Sequence, residues 1–262
     1  MGDKISLKNY KGYLLDLDGT MYRGNEPINS AVKFVQNLAN KKIPYLFVTN
    51  NSSQTPEAVV NKLTAMNIPA TTDQVMTSSI ATARYIQKQS EKANCFVIGE
   101  EGLVKALENE GLTVSEKAGE YVVIGIDRQV TYEKLAKAAL LVRVGAEFIS
   151  TNSDKAIPTE RGLVPGNGAL TSVVTVSTGI EPTFIGKPEK IIMDQSLQKL
   201  GLANDEVIMI GDNYDTDIMA GIRSEIDTLM VFTGVTPFSA YENLEVKPTY
   251  YVKNLSEWMK YI

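Results

Sequence analysis

The sequence predicts an α/β protein built on parallel sheets. Short apolar runs of strand length alternate with amphipathic helical patterns from end to end. Several of those runs stop abruptly at carboxylate, amide or lysine side chains. With 262 residues, 44% hydrophobic and 22% charged, the chain is long enough for one large domain or two modest ones.

In chain order, "YLLDL" (13–17) and "IPYLFVTN" (43–50) read as strands, and between them Val32, Val35, Leu38 and Ala39 share a helical face. "TPEAVVNKLTAMNI" opens a helix with Thr55 as N-cap, Pro56 at the first helical position and Glu57 in the first turn. "QVMTS" is a further short strand. "CFVIG" (95–99) precedes a helix with Leu103, Ala106 and Leu107 inward and Gly111 as its stop. "YVVIGI" (121–126) precedes one with the stripe Leu135, Ala138, Ala139 and Val142, and "EFIST" (147–151) follows. The Gly- and Pro-rich stretch "NSDKAIPTERGLVPGNGALTS" reads as a long surface loop. "TFIGKP", a helix carrying Met193, Leu197 and Leu200, "EVIMIGD" (206–212), the helix "DIMAGIRS", "TLMVFTG" and "TYYVKN" complete the chain.

Composition excludes several function classes. A net charge of −5 without long basic runs argues against nucleic-acid or membrane-surface partners. There is no histidine, so Ser-His-Asp and Cys-His catalysis and His-ligated zinc are ruled out. The single cysteine, Cys95, rules out an intramolecular disulfide and reads as a small apolar strand residue. No apolar leader or run of eighteen apolar residues occurs, and the expected location is the cytoplasm. Gly2 and Ser6 stand in a myristoylation-like spacing, a short pattern that chance readily produces.

Acid/base work therefore falls to carboxylates, Lys or Tyr. Four expected strands end in unusual polar groups: Asp16-Leu17-Asp18-Gly19-Thr20, Thr49-Asn50-Asn51-Ser52, Gly186-Lys187-Pro188 and Gly211-Asp212-Asn213-Tyr214-Asp215-Thr216-Asp217. Ligands of open parallel sheets bind at the carboxyl ends of strands, so four neighbouring strands would bring these loops to one crevice. The clustered charge calls for a hard cation such as Mg²⁺, and the chemistry that fits is metal-assisted phosphoryl transfer. In that reading Asp16 is a carboxylate nucleophile, and Asp18, on the same side of the pleat, is the general acid and base. Gly19 permits a tight turn toward phosphate, and Thr49 and Lys187 bind phosphoryl oxygens. Each piece also has a plainer reading. Lys-Pro is commonly a solvated lysine before a turn, "VTNNSSQTP" a turn with helix caps, and "GDNYDTD" acids at a helix N-terminus. An EF-hand loop is excluded by Thr20 and Pro27 at positions that need acids.

"DLDGT", "VTNNS", "GKP" and "GDNYDTD", in that order, resemble the four motifs of the haloacid dehalogenase superfamily of phosphatases. "LLDLDGTMYRGNEPI", "FVTNNSS" and "TNSDKAIPTERGLVPGNGAL" are similar to stretches of its 4-nitrophenylphosphatase or NagD-like branch. The resemblance implies Asp16 as nucleophile and metal ligand, and Asp18 as acid/base that also gives its backbone carbonyl to the metal. It implies Thr49, with Asn50 beside it, and Lys187 as phosphate ligands, Asp212 as a metal ligand, and Asp217 as the acid that orders the metal shell, with Gly19 and Asn213 in support. Asp18 also favours a phosphatase over a dehalogenase. The resemblance further implies a Rossmann-like core, 1–78 and 183–262, with an α/β cap, 79–182, inserted between the second and third motifs.

The function expected is a Mg²⁺-dependent phosphomonoesterase acting through an aspartyl-phosphate on small metabolites: sugar phosphates, nucleoside monophosphates, phosphoglycolate, or 4-nitrophenyl phosphate in vitro. Two alternatives stay open, a phosphotransferase to an acceptor other than water and a non-catalytic metal- and phosphate-binding protein. The loop 151–168 is a candidate to reach over the site, with Lys155 and Arg161 as anion contacts or solvated charges. Tyr22 and Arg23 are candidates to edge the pocket, and a homodimer through the cap is compatible with the resemblance.

Overall fold

The computed structural model describes residues 8–159 and 161–262; Gly2 and Ser6 lie outside them. In chain order the elements are β1 (Gly12–Leu15), β2 (Tyr22–Arg23), β3 (Glu26–Pro27), α1 (Asn29–Asn40), β4 (Tyr45–Thr49), α2 (Pro56–Ala65), β5 (Val75–Thr77) and α3 (Ser78–Gln89). There follow β6 (Asn94–Ile98), α4 (Glu101–Asn109), β7 (Thr113–Ser115), β8 (Tyr121–Ile124), α5 (Tyr132–Arg143), β9 (Glu147–Ser150), β10 (Ala156–Thr159), β11 (Gly162–Pro165) and α6 (Asn167–Thr178). The last are β12 (Thr183–Phe184), α7 (Lys190–Leu200), β13 (Val207–Gly211), α8 (Met219–Arg223), β14 (Asp227–Val231) and β15 (Tyr250–Val252). The alternation expected from the sequence is present as two sets of parallel strands.

The chain forms two compact units. The first holds the described residues up to Val48, Lys62–Gln74 and Met193–Ile262; the second holds Thr49–Asn61 and Val75–Ile192. In the first, strands run parallel in the order β15-β14-β13-β1-β4. Both faces of β1 and β13 are buried, which is why "GYLL" and "VIMIG" are continuous apolar runs rather than alternating ones. Leu14 pairs with both Met209 and Leu46, and Leu15 with Ile210 and Phe47. Helix α1 buries Ala31, Phe34, Val35 and Leu38, a face rotated from the expected one: Phe34 is inward, and Val32 and Ala39 are half-buried. The bulkiest apolar side chain takes the core position, because burying it removes the most surface from water.

In the second unit a sheet runs β12-β9-β8-β6-β7, all parallel. Its core gathers Phe96, Ile98, Val122, Ile124, Phe148 and Val174 with Ala138 and Val142 of α5. Cys95 is buried in β6, and burial, with Glu120 nearby, pushes its thiol up to about 12. The stretch read as a long loop is more ordered than expected: β10 and β11 form an antiparallel hairpin, and α6 begins at Asn167. Helix α6 is rich in Val and Thr, poor helix formers, yet Thr171 and Val174 are buried, and Gly179 closes the helix in the left-handed region (φ 75°). Lys155 and Arg161 are exposed beside the hairpin. Among the described residues no helix is long and apolar enough to cross a membrane.

Of the four expected polar strand ends, those of β1, β4 and β13 belong to adjacent strands. The strand before the fourth belongs to the other sheet. The strand ahead of Lys187 is only β12, which pairs with β9, and the amides of Ile185 and Gly186 extend that pairing to the carbonyls of Ser150 and Thr151.

Candidate active site

In the first unit, the sheet register builds an acidic cluster. The Asp16 amide donates to the Ile210 carbonyl (2.9 Å), so the ends of β1 and β13 lie side by side and Asp212 follows one residue beyond. A π turn over Tyr214–Ile218 then brings Asp217 back. Asp16, Asp212 and Asp217 each offer a carboxylate oxygen, all within 4.8 Å of one another, and all three side chains are buried. The Thr20 hydroxyl lies 3.1 Å from Asp16 Oδ2 and 2.9 Å from Asp212 Oδ1. One hydroxyl proton stands between two carboxylates, so these hydrogen bonds do not neutralise the cluster. Desolvation first, then the charges of Asp16 and Asp217, raise the Asp212 carboxyl well above the usual range, against the opposing pull of the Val235 amide and Thr20.

Asp217 accepts from the Asn213 amide (3.1 Å), and the Asn213 side chain accepts from the Asp215 amide (3.1 Å), capping the π turn. Gly19 adopts φ +88°, and a Cβ there would collide with the Asp212 carboxylate. The Asp18 carboxylate is exposed and accepts from the Tyr22 hydroxyl at 3.2 Å. Burial, reinforced by Asp18 and Asp16, raises Tyr22 far above its ordinary value, so it stays a donor.

A loop unassigned by sequence reasoning closes around Asp212. The Val235 amide donates to Asp212 Oδ2 (2.6 Å) and the Thr236 amide to the Asp212 carbonyl (3.3 Å). The Thr233 hydroxyl donates to the Gly19 carbonyl (2.6 Å), and Arg23 Nε donates to the Thr233 carbonyl (2.6 Å). A Cβ on Gly234 would also strike the Asp212 carboxylate. The signal was the Gly-containing "FTGVTP" after β14, the same strand-end position that marks the other polar loops.

In the second unit, Asn50 Nδ2 donates to the Lys187 carbonyl (2.9 Å) and to Asp154 Oδ1 (3.0 Å). The Asn50 carbonyl accepts from Ser78 Oγ and Asn152 Nδ2, both at 2.8 Å. Thr49 is buried and its hydroxyl accepts from the Asn51 amide, while Lys187 is almost wholly enclosed. Thr49, Asn50 and Lys187 thus come together around Asn50, joined by Asn152 and Asp154 from the start of the 151–168 loop, two residues to which sequence reasoning gave no individual role.

The carboxylate cluster fits a hard divalent cation: three oxygen donors, no nitrogen or sulfur, and more negative charge than the surrounding hydrogen bonds offset. Two family models match the chain, "Haloacid dehalogenase-like hydrolase" over residues 13–113 and "HAD-hyrolase-like" over residues 184–258. The chain is 56% identical to the 5'-nucleotidase YutF of Bacillus subtilis over 98% of its length and 100% of that protein. It belongs to the haloacid dehalogenase-like hydrolases.

Other HAD-family relatives agree along the whole chain. An acid sugar phosphatase of Staphylococcus saprophyticus is 54% identical over 97% of this chain and 98% of that protein. A crystal structure of a double-mutant thermostable NPPase from Geobacillus stearothermophilus is 52% identical, with a TM-score of 0.92 over 98% of this chain and 100% of that one. A 4-nitrophenylphosphatase structure from Thermotoga maritima matches with a TM-score of 0.92 at 34% identity, over 96% of this chain and 97% of that one. The chain is a hydrolase of the phosphatase branch of the HAD family.

Proposed function

We propose that this HAD-family phosphatase hydrolyses small phosphomonoesters with Mg²⁺ as cofactor, by way of an aspartyl-phosphate on Asp16. The observation that carries the proposal is the buried Asp16, Asp212 and Asp217 cluster with the exposed Asp18 carboxylate beginning the turn beside it. Asp16, Asp212 and the Asp18 carbonyl would hold the ion, with Asp217 and Asn213 ordering its surroundings, and the ion would supply positive charge against the phosphoryl oxygens.

A carboxylate oxygen of Asp16 forms a bond to phosphorus as the bond from phosphorus to the ester oxygen breaks, and Asp18 gives that oxygen its proton. Asp18, now ionised, takes a proton from water; the water oxygen bonds to phosphorus, the Asp16 acyl–phosphate bond breaks, and inorganic phosphate leaves. Thr49, Asn50 and Lys187 bind the phosphoryl oxygens, and Gly19 allows the backbone to turn tightly beside them. Residues 79–182 are proposed as a cap that closes on a core of 1–78 and 183–262 and excludes water, and the same segment would support a homodimer. The names of the relatives, a 5'-nucleotidase and acid sugar phosphatases, support nucleoside monophosphates and sugar phosphates as substrates, and the lone buried cysteine supports a cytoplasmic location.

The test is phosphate release from a panel of metabolite monophosphates and 4-nitrophenyl phosphate, with Mg²⁺ or with EDTA, beside Asp16→Asn and Asp18→Asn. Mg²⁺-dependent release that Asp16→Asn abolishes and Asp18→Asn strongly reduces is the expected result. Folded protein that binds phosphate yet releases none from any ester would overturn the hydrolase mechanism, and faster transfer to an added alcohol than to water would redirect it to a phosphotransferase.

A further inference from the structure

Asp18 is held by its own chain. The Leu17 carbonyl accepts from the amides of Thr20 (3.2 Å), Met21 (2.7 Å) and Tyr22 (3.4 Å), and the Gly19 amide donates to the Tyr22 carbonyl (2.8 Å). This tight turn sets residues 18 and 22 in bridge partnership and puts their side chains next to one another. The far side of Tyr22 is fixed by the β2–β3 hairpin, where it faces Pro27. Tyr22 is 2% exposed, and the Lys62 ammonium of α2 stands 3.8 Å from its ring centroid. A rigid, buried phenol therefore donates its one hydrogen to an exposed carboxylate.

We propose that Tyr22 is a positioning residue for proton transfer to the leaving group: its phenol holds Asp18 Oδ2, so that the second carboxylate oxygen carries the transferable proton and faces the ester oxygen. The role presupposes Asp18 as acid and base. A carboxyl oxygen that accepts the phenolic hydrogen is disfavoured as the site of the acidic proton, which settles on the other oxygen. The 3.2 Å separation is long for an O–H···O bond, as expected of a catalytic contact that tightens when substrate is bound.

Tyr22→Phe keeps the ring, its packing and the Lys62 contact and removes only the hydroxyl. Its kcat/KM is measured over a series of aryl phosphates of graded leaving-group acidity, beside wild type and Asp18→Asn, with thermal unfolding to verify folding. Because each variant is compared with itself across substrates, its active fraction cancels. Leaving groups that depart readily as anions, such as 4-nitrophenolate, need little protonation, whereas poor ones depend on it. Tyr22→Phe is expected to spare 4-nitrophenyl phosphate and to slow the poorest leaving group by about ten-fold or more, the rate equivalent of one hydrogen bond to a carboxylate. Asp18→Asn should steepen the same dependence further. A uniform loss across the series in Tyr22→Phe, with a steepened slope in Asp18→Asn, would overturn the positioning role and leave the mechanism standing. An unchanged slope in Asp18→Asn would remove the acid assignment itself, and the Tyr22 role with it.

Discussion

Replacing Asp212 with asparagine should make the metal-free protein more stable at alkaline pH while destroying its response to Mg²⁺. Two unit charges no more than 4.8 Å apart repel by at least about 3.5 kcal/mol at an effective dielectric of about 20, and Asp212 has two such neighbours in Asp16 and Asp217. The Val235 amide and Thr20 hydroxyl offset part of this, at roughly 1.5–3 kcal/mol for a hydrogen bond to a charged group. The fully buried carboxyl answers the remainder by keeping its proton, and its pKa is raised from 3.8 to about 8. A raised native pKa means that the folded chain holds a proton which the unfolded chain has already released. Stability from this group is full below the ordinary value and is lost as pH climbs toward the raised one, by up to about 1.4 kcal/mol per pH unit. From pH 5 to 8 that amounts to about 4 kcal/mol, less roughly 1 kcal/mol for the weaker amide acceptor in Asp212→Asn. At about 2–4 °C per kcal/mol, metal-free Asp212→Asn should unfold on the order of 10 °C above wild type at pH 8 and close to it at pH 5. Trp258, the single tryptophan, reports the transition by fluorescence in EDTA and then in Mg²⁺, which should raise wild type and leave the variant nearly unmoved. Equal pH dependence in the two proteins, or equal stabilisation by Mg²⁺, would refute the reasoning.

Gly234→Ala should weaken Mg²⁺ binding and activity together, because the new methyl displaces the Asp212 carboxylate; Gly24→Ala, with open space around it and φ +57°, should cost only about 1–2 kcal/mol of strain. Titration calorimetry and thermal unfolding separate the two. The buried Cys95 thiol, pushed up to about 12, should resist a thiol reagent at pH 8 in the native protein and react at once in denaturant. Phe148→Ala should lower stability by about 3–5 kcal/mol through the cavity it opens in the core of the second unit, measured by urea unfolding.

Local chemistry was legible wherever it acts within one segment. Thr55 caps α2 through the Ala58 amide, as its place before Pro56 predicted, and β1, β4, β8 and β13 are the apolar runs read as strands. Composition and spacing also singled out Asp16 and Asp18, and the resemblance to the haloacid dehalogenase motifs added Asp212 and Asp217. The inward face of α1 was misjudged because helical periodicity fixes which residues share a face only to within a neighbouring row, and the packing of Phe34 chose between them. Helix α6 escaped notice because its β-branched residues favour strands, and only burial against the second sheet reverses that preference.

By itself, then, the sequence determined the alternation of strands and helices, the absence of histidine and cysteine chemistry, and the carboxylates that end the buried strands. The tertiary structure decided what each carboxylate meets. Asp212 is gripped by Val235 and bridged to Asp16 by Thr20, and Thr233 reaches Gly19 across 214 residues of chain. Lys187 follows a strand of the second sheet instead of the first. These contacts join segments whose local preferences carry no information about one another. They form only when parallel strands are brought into register by the burial of their apolar faces.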